Sequence, residues 1–309
     1  MRYDVLVVGE LNADLILRGD VEPAWGQAEK LLDDATLTLG SSSAIFACGI
    51  ARLGLKVAFA GLIGDDMLGR FCRDALADRG VDVGGVVVDP AQRTGMTVIL
   101  QRPDDRAMLT FAGAMAHFGA AHISTDMLRT TRHVHVGSYY MQPTLQPDLP
   151  AIFAMAQQAG ATTSLDTNWD PAGTWAGLDT LLPVTSCFIP NEGEALAIAG
   201  TLAGTPPANV DAALDILAGR VSLAAVKCGA NRAIAASGDA RADIMPPRVA
   251  FVDAVGAGDT FNAGFVYGML AGWDLADCLR LAVACGSLST RAAGGTAAQP
   301  TLDEALAAG

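Results

Sequence analysis

The chain is short of positive charge. Lysine and arginine total 20 against 33 aspartates and glutamates, a formal net charge of −13 at pH 7. A surface that acidic repels nucleic-acid phosphates and anionic lipid, so both are poor partners. Charge of either sign is scarce at 17% of residues, while 51% are hydrophobic. That balance argues against disorder and for a well-buried core. Long apolar runs are missing as well: none approaches the roughly 18 residues of a membrane span. The six cysteines (Cys48, Cys72, Cys187, Cys228, Cys278, Cys285) form no Cys-x-x-Cys pair, and most sit in apolar stretches such as Phe46–Ile50. They read as reduced thiols filling core positions. Histidine is rare; His133 and His135 alternate on one strand with no third ligand at fitting spacing, which counts against a metal site.

What the chain has is a repeated unit. Short apolar runs end in Gly, Asp or Asn: Val5–Val8 at Gly9, Val57–Ile63 at Gly64, Val134–Val136 at Gly137, Thr162–Leu165 at Asp166, Cys187–Ile189 at Pro190-Asn191, Leu223–Val226 at Lys227, and Val249–Val252 at Asp253. Helical patterns lie between several of them, at Met67–Arg79, Leu149–Ala159, Glu192–Ala199 and Val210–Leu217. Strands alternating with helices predict an α/β fold, a mostly parallel central sheet with helices on both faces. Thr97–Gln101 and Arg106–Phe111, around Arg102-Pro103-Asp104-Asp105, read as a hairpin. With the irregular stretch Leu15–Leu39 it makes a small antiparallel flap beside the main sheet. The 309 residues show no repeat and no clear linker, so one domain with a flap, its lid, is expected. Tyr3–Val8 already reads as a buried strand, which points to the cytoplasm as the compartment.

In an open parallel sheet, ligands bind beyond the carboxyl ends of the strands. The sharpest signal there is Asp253-Ala254-Val255-Gly256-Ala257-Gly258-Asp259, followed by a helix whose buried stripe is Phe261, Phe265 and Met269. Gly256 and Gly258 remove side chains that would block a ligand, and the helix start offers free N–H groups and a favourable dipole to an anion. Asp259 is placed to accept a proton from an attacking hydroxyl. By itself the stretch also reads as a tight turn with an N-cap. It is neither a Walker A loop, lacking Lys-Ser/Thr, nor a dinucleotide fingerprint, lacking the third glycine.

Asp253–Phe261 resembles the C-terminal signature of the phosphofructokinase B family of carbohydrate kinases, the ribokinase-like kinases. Gly40-Ser41-Ser42-Ser43-Ala44-Ile45 through Gly54 is similar to the N-terminal one. Gly9–Asp14, Gly64-Asp65-Asp66 to Gly69, Asn191–Glu194 and Val226–Gly229 resemble further family segments, so the likeness spans nearly the whole chain. The resemblance implies a ribokinase-like fold whose lid, about residues 12–39 and 95–115, closes over a sugar and pairs two subunits as a homodimer. It implies Asp259 as catalytic base and the amides of Ala257, Gly258 and Asp259, beyond Gly256, as the anion hole. Asn12, Asp14, Gly40 and Ser41 would face the acceptor. Asn191, Glu194, Lys227 and Gly229, with Gly256 and Gly258, would face ATP. Mg2+ would bridge the phosphates, reaching Glu194 through water; whether a monovalent cation assists stays open. Asp166–Asp170 resembles a segment near the phosphates or acceptor, and His117, Tyr139, Tyr140 and Gln142 are further candidates for the acceptor pocket.

The chain departs from the ribokinase pattern at Ile45, where those enzymes carry Asn, and at Ser41, where they carry Gly. At Val283 many relatives place an adenine-contacting Asn. Phosphoryl transfer to a sugar is the expected activity, with a nucleoside kinase on the same scaffold as the alternative. A nicotinamide-dependent dehydrogenase is disfavoured by the missing Gly-x-Gly-x-x-Gly after Val5–Val8, and a silent ligand sensor by Asp259 together with Asn191 and Glu194.

Overall fold

Alternation on the first strand sets the architecture. In β1 (Tyr3–Val8), Val5 and Val7 point to one apolar core and Leu6 and Val8 to another, all four fully buried. A strand apolar on both faces belongs inside a sheet covered on both sides. The computed structural model describes residues 1–102 and 105–309. Beside β1 lie β4 (Val57–Gly64) and β5 (Asp82–Asp89) on one side. On the other come β8 (Thr131–Val136), β9 (Thr162–Leu165), β10 (Cys187–Phe188) and β11 (Leu223–Cys228), all parallel. β12 (Arg232–Ser237) and β13 (Ala240–Ile244) close that edge as an antiparallel hairpin.

Helices α3 (Thr125–Arg129), α4 (Leu149–Gln158), α5 (Glu192–Ala203) and α6 (Val210–Ala218) cover one face. The other is covered by α1 (Ser42–Arg52), α2 (Met67–Ala77), α7 (Ala257–Leu270), α8 (Leu275–Ser289) and α9 (Leu302–Ala308). Glycine and alanine let α7 and α8 pack closely: a Cβ on Gly264 would lie 2.9 Å from Ala282 Cα. All six cysteines are buried and unpaired.

A second sheet stands apart, in the order β3 (Asp34–Leu39), β2 (Asn12–Arg18), β6 (Gly95–Gln101), β7 (Arg106–Phe111). The β6–β7 pair is antiparallel, as expected of the hairpin; its turn residues Pro103 and Asp104 lie outside the described residues. β2 and β6 are parallel, so the sheet is mixed rather than wholly antiparallel. Val249–Val252, expected as a strand, is not one. Val252 N–H and Asp253 N–H donate instead to Thr290 O after α8. Among the described residues no helix is long and apolar enough to cross a membrane.

Candidate active site

The carboxyl ends of β9 and β11 come together with α7, where Asp166, Lys227 and Asn262 are joined by hydrogen bonds. Gly256 caps α7 at φ +72°, a left-handed conformation. A Cβ there would lie 2.6 Å from Gly295 Cα and 2.9 Å from Ile45 Cγ2, so both backbone and space demand glycine. Ala257 N–H donates back to Ala254 O at 3.2 Å. Among the described residues the unpaired first-turn amides are therefore those of Gly258 and Asp259. Asp253 braces the loop from beneath, accepting from Val255 N–H and Gly294 N–H at 3.0 Å each. Arg18 of β2 approaches the same carboxylate, Nη2 lying 3.8 Å from Oδ2.

Asp259 is 8% exposed. Burial first, then the negative charge of Asp166, push its pKa up to about 8, while Lys227 and a hydrogen bond from Ser42 act the other way. Lys227, at the end of β11, donates to Asp166 Oδ2 at 2.7 Å and to Asn262 Oδ1 at 3.2 Å. Asn262 in turn donates to the same Asp166 oxygen. Burial alone would lower the Lys227 pKa, but Asp166 and Glu194 more than reverse it, and it is held charged.

Asn191 and Glu194 form the capping box that starts α5. Glu194 Oε2 accepts from Asn191 N–H at 3.0 Å, and Asn191 Oδ1 accepts from Glu194 N–H at 2.9 Å. Burial, then Asp166, raise the Glu194 pKa. Among the described residues no three His, Cys, Asp or Glu side chains come together as a metal cage. Mg2+ holds several waters and substrate phosphates with only one or two carboxylates, which this donor set fits.

On the other side of Asp259, Asn12 Nδ2 donates to Asp14 Oδ1 at 2.9 Å and to Thr97 Oγ1 at 3.3 Å. Burial, followed by the Glu10 charge, lifts Asp14 to about 6 against the Asn12 bond. Ser41 behaves differently from its neighbours. At φ +69° it caps α1; its hydroxyl donates to Glu10 O at 2.6 Å and accepts from Ala44 N–H at 2.9 Å, so it is engaged within the fold. Ile45 packs against Gly256 and Gly295.

Three participants escaped the sequence reading. Glu10 is buried and takes bonds from Ser41 Oγ, Ser43 N–H and Ser43 Oγ, tying β1 to α1. An acid directly after the glycine of a buried strand was the available signal. Asn262 sits three residues after Asp259, on the same helix face, and that spacing was readable. Ser138, at φ +50°, had no signal; its hydroxyl and that of Ser42 accept from Asn168 Nδ2 at 2.7 and 2.6 Å. Other candidates are placed elsewhere or serve the scaffold. His117 is exposed. Gln142 donates to Gly137 O at 2.6 Å and Tyr139 to Gly177 O at 3.1 Å. His133 and His135 share Ser164 Oγ at 2.7 Å each, and burial keeps both neutral. Asp66 caps α2 through Gly69 N–H and ties it to Thr94 N–H, both at 2.8 Å.

A cavity of about 570 Å³ opens beside this centre, lined by Lys227 and Gly229, by Ala257 and Gly258, and by Phe251 and Val283. A mostly parallel sheet covered on both faces, with an anion cradle and a cavity at its carboxyl edge, is an architecture that binds phosphate-bearing ligands. The sequence pattern of the pfkB family carbohydrate kinases matches residues 2–302. The chain is 26% identical over 309 residues to ribokinase of Haemophilus influenzae, covering 99% of this chain and 98% of the relative. It is 31% identical over 284 residues to fructokinase of Klebsiella pneumoniae, covering 86% and 90%. Among solved structures, an Escherichia coli protein described as a ribokinase II, in complex with ATP and Mg2+, superposes with a TM-score of 0.87 at 22% identity, covering 99% and 98%. The chain belongs to the pfkB family of carbohydrate kinases: it is a sugar kinase with a ribokinase-like fold.

Proposed function

We propose that the enzyme transfers the γ-phosphate of ATP to a hydroxyl of a small sugar or sugar derivative, with Asp259 as general base. The observation that carries this reading is the position of Asp259. It stands at the start of α7, with the cavity edged by Lys227 and Gly258 on one side. The charges of Asp166 and Lys227 act on it from the donor side and that of Glu10, beside Ser41 and Ser43, from the acceptor side. Asn12, Asp14 and the backbone at Gly40 and Ser41 orient the acceptor. Asp259 takes the hydroxyl proton as that oxygen bonds to the γ-phosphorus, and the bond from phosphorus to the β,γ-bridging oxygen breaks, releasing ADP. The Gly258 and Asp259 amides meet charge developing on the phosphoryl oxygens. Asn191, Glu194, Lys227 and Gly229 hold the nucleotide side, Lys227 supplying the positive charge. Glu194 would hold Mg2+ through water, and the ion would supply positive charge against the phosphates.

The four-stranded sheet, residues about 12–39 and 95–115, serves as the lid, and removing water as it closes limits idle hydrolysis of ATP. On this reading the enzyme works in the cytoplasm as a homodimer joined through the lid. A nucleoside acceptor is the second reading. It is favoured by the apolar Ile45 beside Gly256. ADP release across a panel of free sugars and nucleosides, with and without K+, separates the two. Asp259→Asn should retain binding and lose about 10²–10⁴-fold in turnover; near-normal turnover in that variant would sink the base assignment.

A further inference from the structure

We propose that the donor site reads the size of its base and not its hydrogen-bonding edge, so that GTP serves as a phosphoryl donor about as well as ATP. The inference rests on the reading of the cavity beside α7 as the nucleotide site. Lys227, Ala257 and Gly258 mark the phosphate end of that cavity, and the wall beyond them includes Pro246, Pro247, Val249, Phe251 and Val283.

Adenine and guanine have similar size but opposite polarity at position 6, an amino donor in one and a carbonyl acceptor in the other. Telling them apart takes a fixed polar partner. A site built around such a partner rejects the wrong ligand by about 10⁴–10⁵-fold, whereas an apolar wall separates near-isosteres by only about 10–200-fold. Among the described residues the lining side chains include no carboxylate and no carboxamide, so none offers a strong acceptor to the adenine amino group. Of the polar side chains that line the cavity beyond Lys227, two are bonded within the protein, and the Ser287 hydroxyl, donor or acceptor by rotation, suits either base edge. Arg232 is held by Asp211 and Asp243 at 2.7 Å each, and Thr290 Oγ1 donates to Ser287 O at 2.7 Å. Arg248 carries donors only, which suit the ring nitrogens of both purines and the guanine 6-carbonyl but not the adenine amino group, so it gives ATP no advantage over GTP. The two consecutive prolines bring no backbone N–H to their part of the rim. Phe251, 70% exposed, offers an aromatic face on which either base stacks.

The test needs no acceptor. Calorimetric titration of the full-length protein with MgADP and MgGDP is expected to give dissociation constants within about tenfold of each other. ADP binding more than tenfold tighter than GDP overturns the inference and leaves the kinase reading intact. If neither diphosphate binds, the cavity is not the donor site and both readings fall together. Val283→Asn, which puts a carboxamide on the α8 wall, should raise the preference for ADP over GDP by about tenfold or more. An unchanged ratio removes Val283 from the base wall and overturns the argument built on it.

Discussion

A methyl group on Gly40 would lie 2.1 Å from Asp14 Oδ1 and 2.8 Å from Asn12 Nδ2. Gly40 follows β3 and Asp14 sits in β2, so this contact joins the second sheet to the turn that starts α1. The glycine is required here by crowding from a carboxylate, not by its dihedral angles. Gly40→Ala should push the Asn12–Asp14 pair out of place. Misplacing a positioning group by about 1 Å costs on the order of 10²-fold, so acceptor kcat/KM should fall by about that factor. Binding of MgADP should stay within about twofold of wild type. Equal losses on both substrates would show a collapsed site rather than a displaced acceptor pair.

Asp259 dictates a pH dependence. Its pKa is raised to about 8 by burial and by Asp166, so in the free enzyme the proposed base ionises only near that pH. Acceptor kcat/KM, which reports the free enzyme, should rise about tenfold per pH unit below about 8 and level off above it. The sign for stability is opposite. A carboxyl with a raised folded-state pKa contributes its full stability below the ordinary carboxylate range and loses it as pH climbs through about 8. Asp259→Asn should therefore gain thermal stability over wild type progressively between about pH 4 and 8. A stability difference independent of pH would contradict the assignment.

Lys227 and Asp166 form a buried ion pair, their side chains 13% and 2% exposed. Removing one partner of such a pair leaves an uncompensated charge and costs about 3–5 kcal/mol. Lys227→Met should lose that much stability in urea unfolding. It should also move the activity limb upward from about pH 8, because Lys227 holds the Asp259 pKa down. Loss of stability with an unmoved limb would place Lys227 in the scaffold alone.

The strand ends and the helix start that build this centre were legible in the sequence because each is local: an apolar run, then a turn residue, then a helical period. Asp259 was singled out that way, whereas the nucleotide roles of Asn191, Glu194 and Lys227 came from the resemblance and belong to the proposal. The contacts among them were not legible, because β9 and β11 become near neighbours of α7 only through the sheet order, which the sequence does not spell out. The resemblance put Asp166 near the phosphates or the acceptor, yet its partnership with Lys227, 61 residues on, and with Asn262, 96 residues on, came only with the fold. Ser41 shows the converse. The resemblance implied an acceptor contact for it, while its hydroxyl answers to Glu10 and Ala44, 31 and 3 residues away. Val249–Val252 misled because an apolar run signals burial against something, not pairing in the sheet.

The outer strand of the second sheet yields the last prediction. On β7, Met108, Leu109 and Phe111 are 60%, 61% and 53% exposed, and one edge of the strand is open. Open edges with apolar side chains attract another strand or sheet, and the proposed lid-to-lid homodimer covers this one. Leu109→Asp should convert the dimer to monomer in sedimentation velocity at micromolar concentration and raise acceptor KM while sparing MgADP binding. Each copy carries a net charge of −13, so the subunits repel across any interface. Salt screens that repulsion, the Debye length falling from about 30 Å at 0.01 M to about 10 Å at 0.1 M, and wild-type association should tighten over that range. A wild-type chain that stays monomeric at 0.1 M salt, with Leu109→Asp leaving acceptor KM unchanged, would rule out pairing through β7.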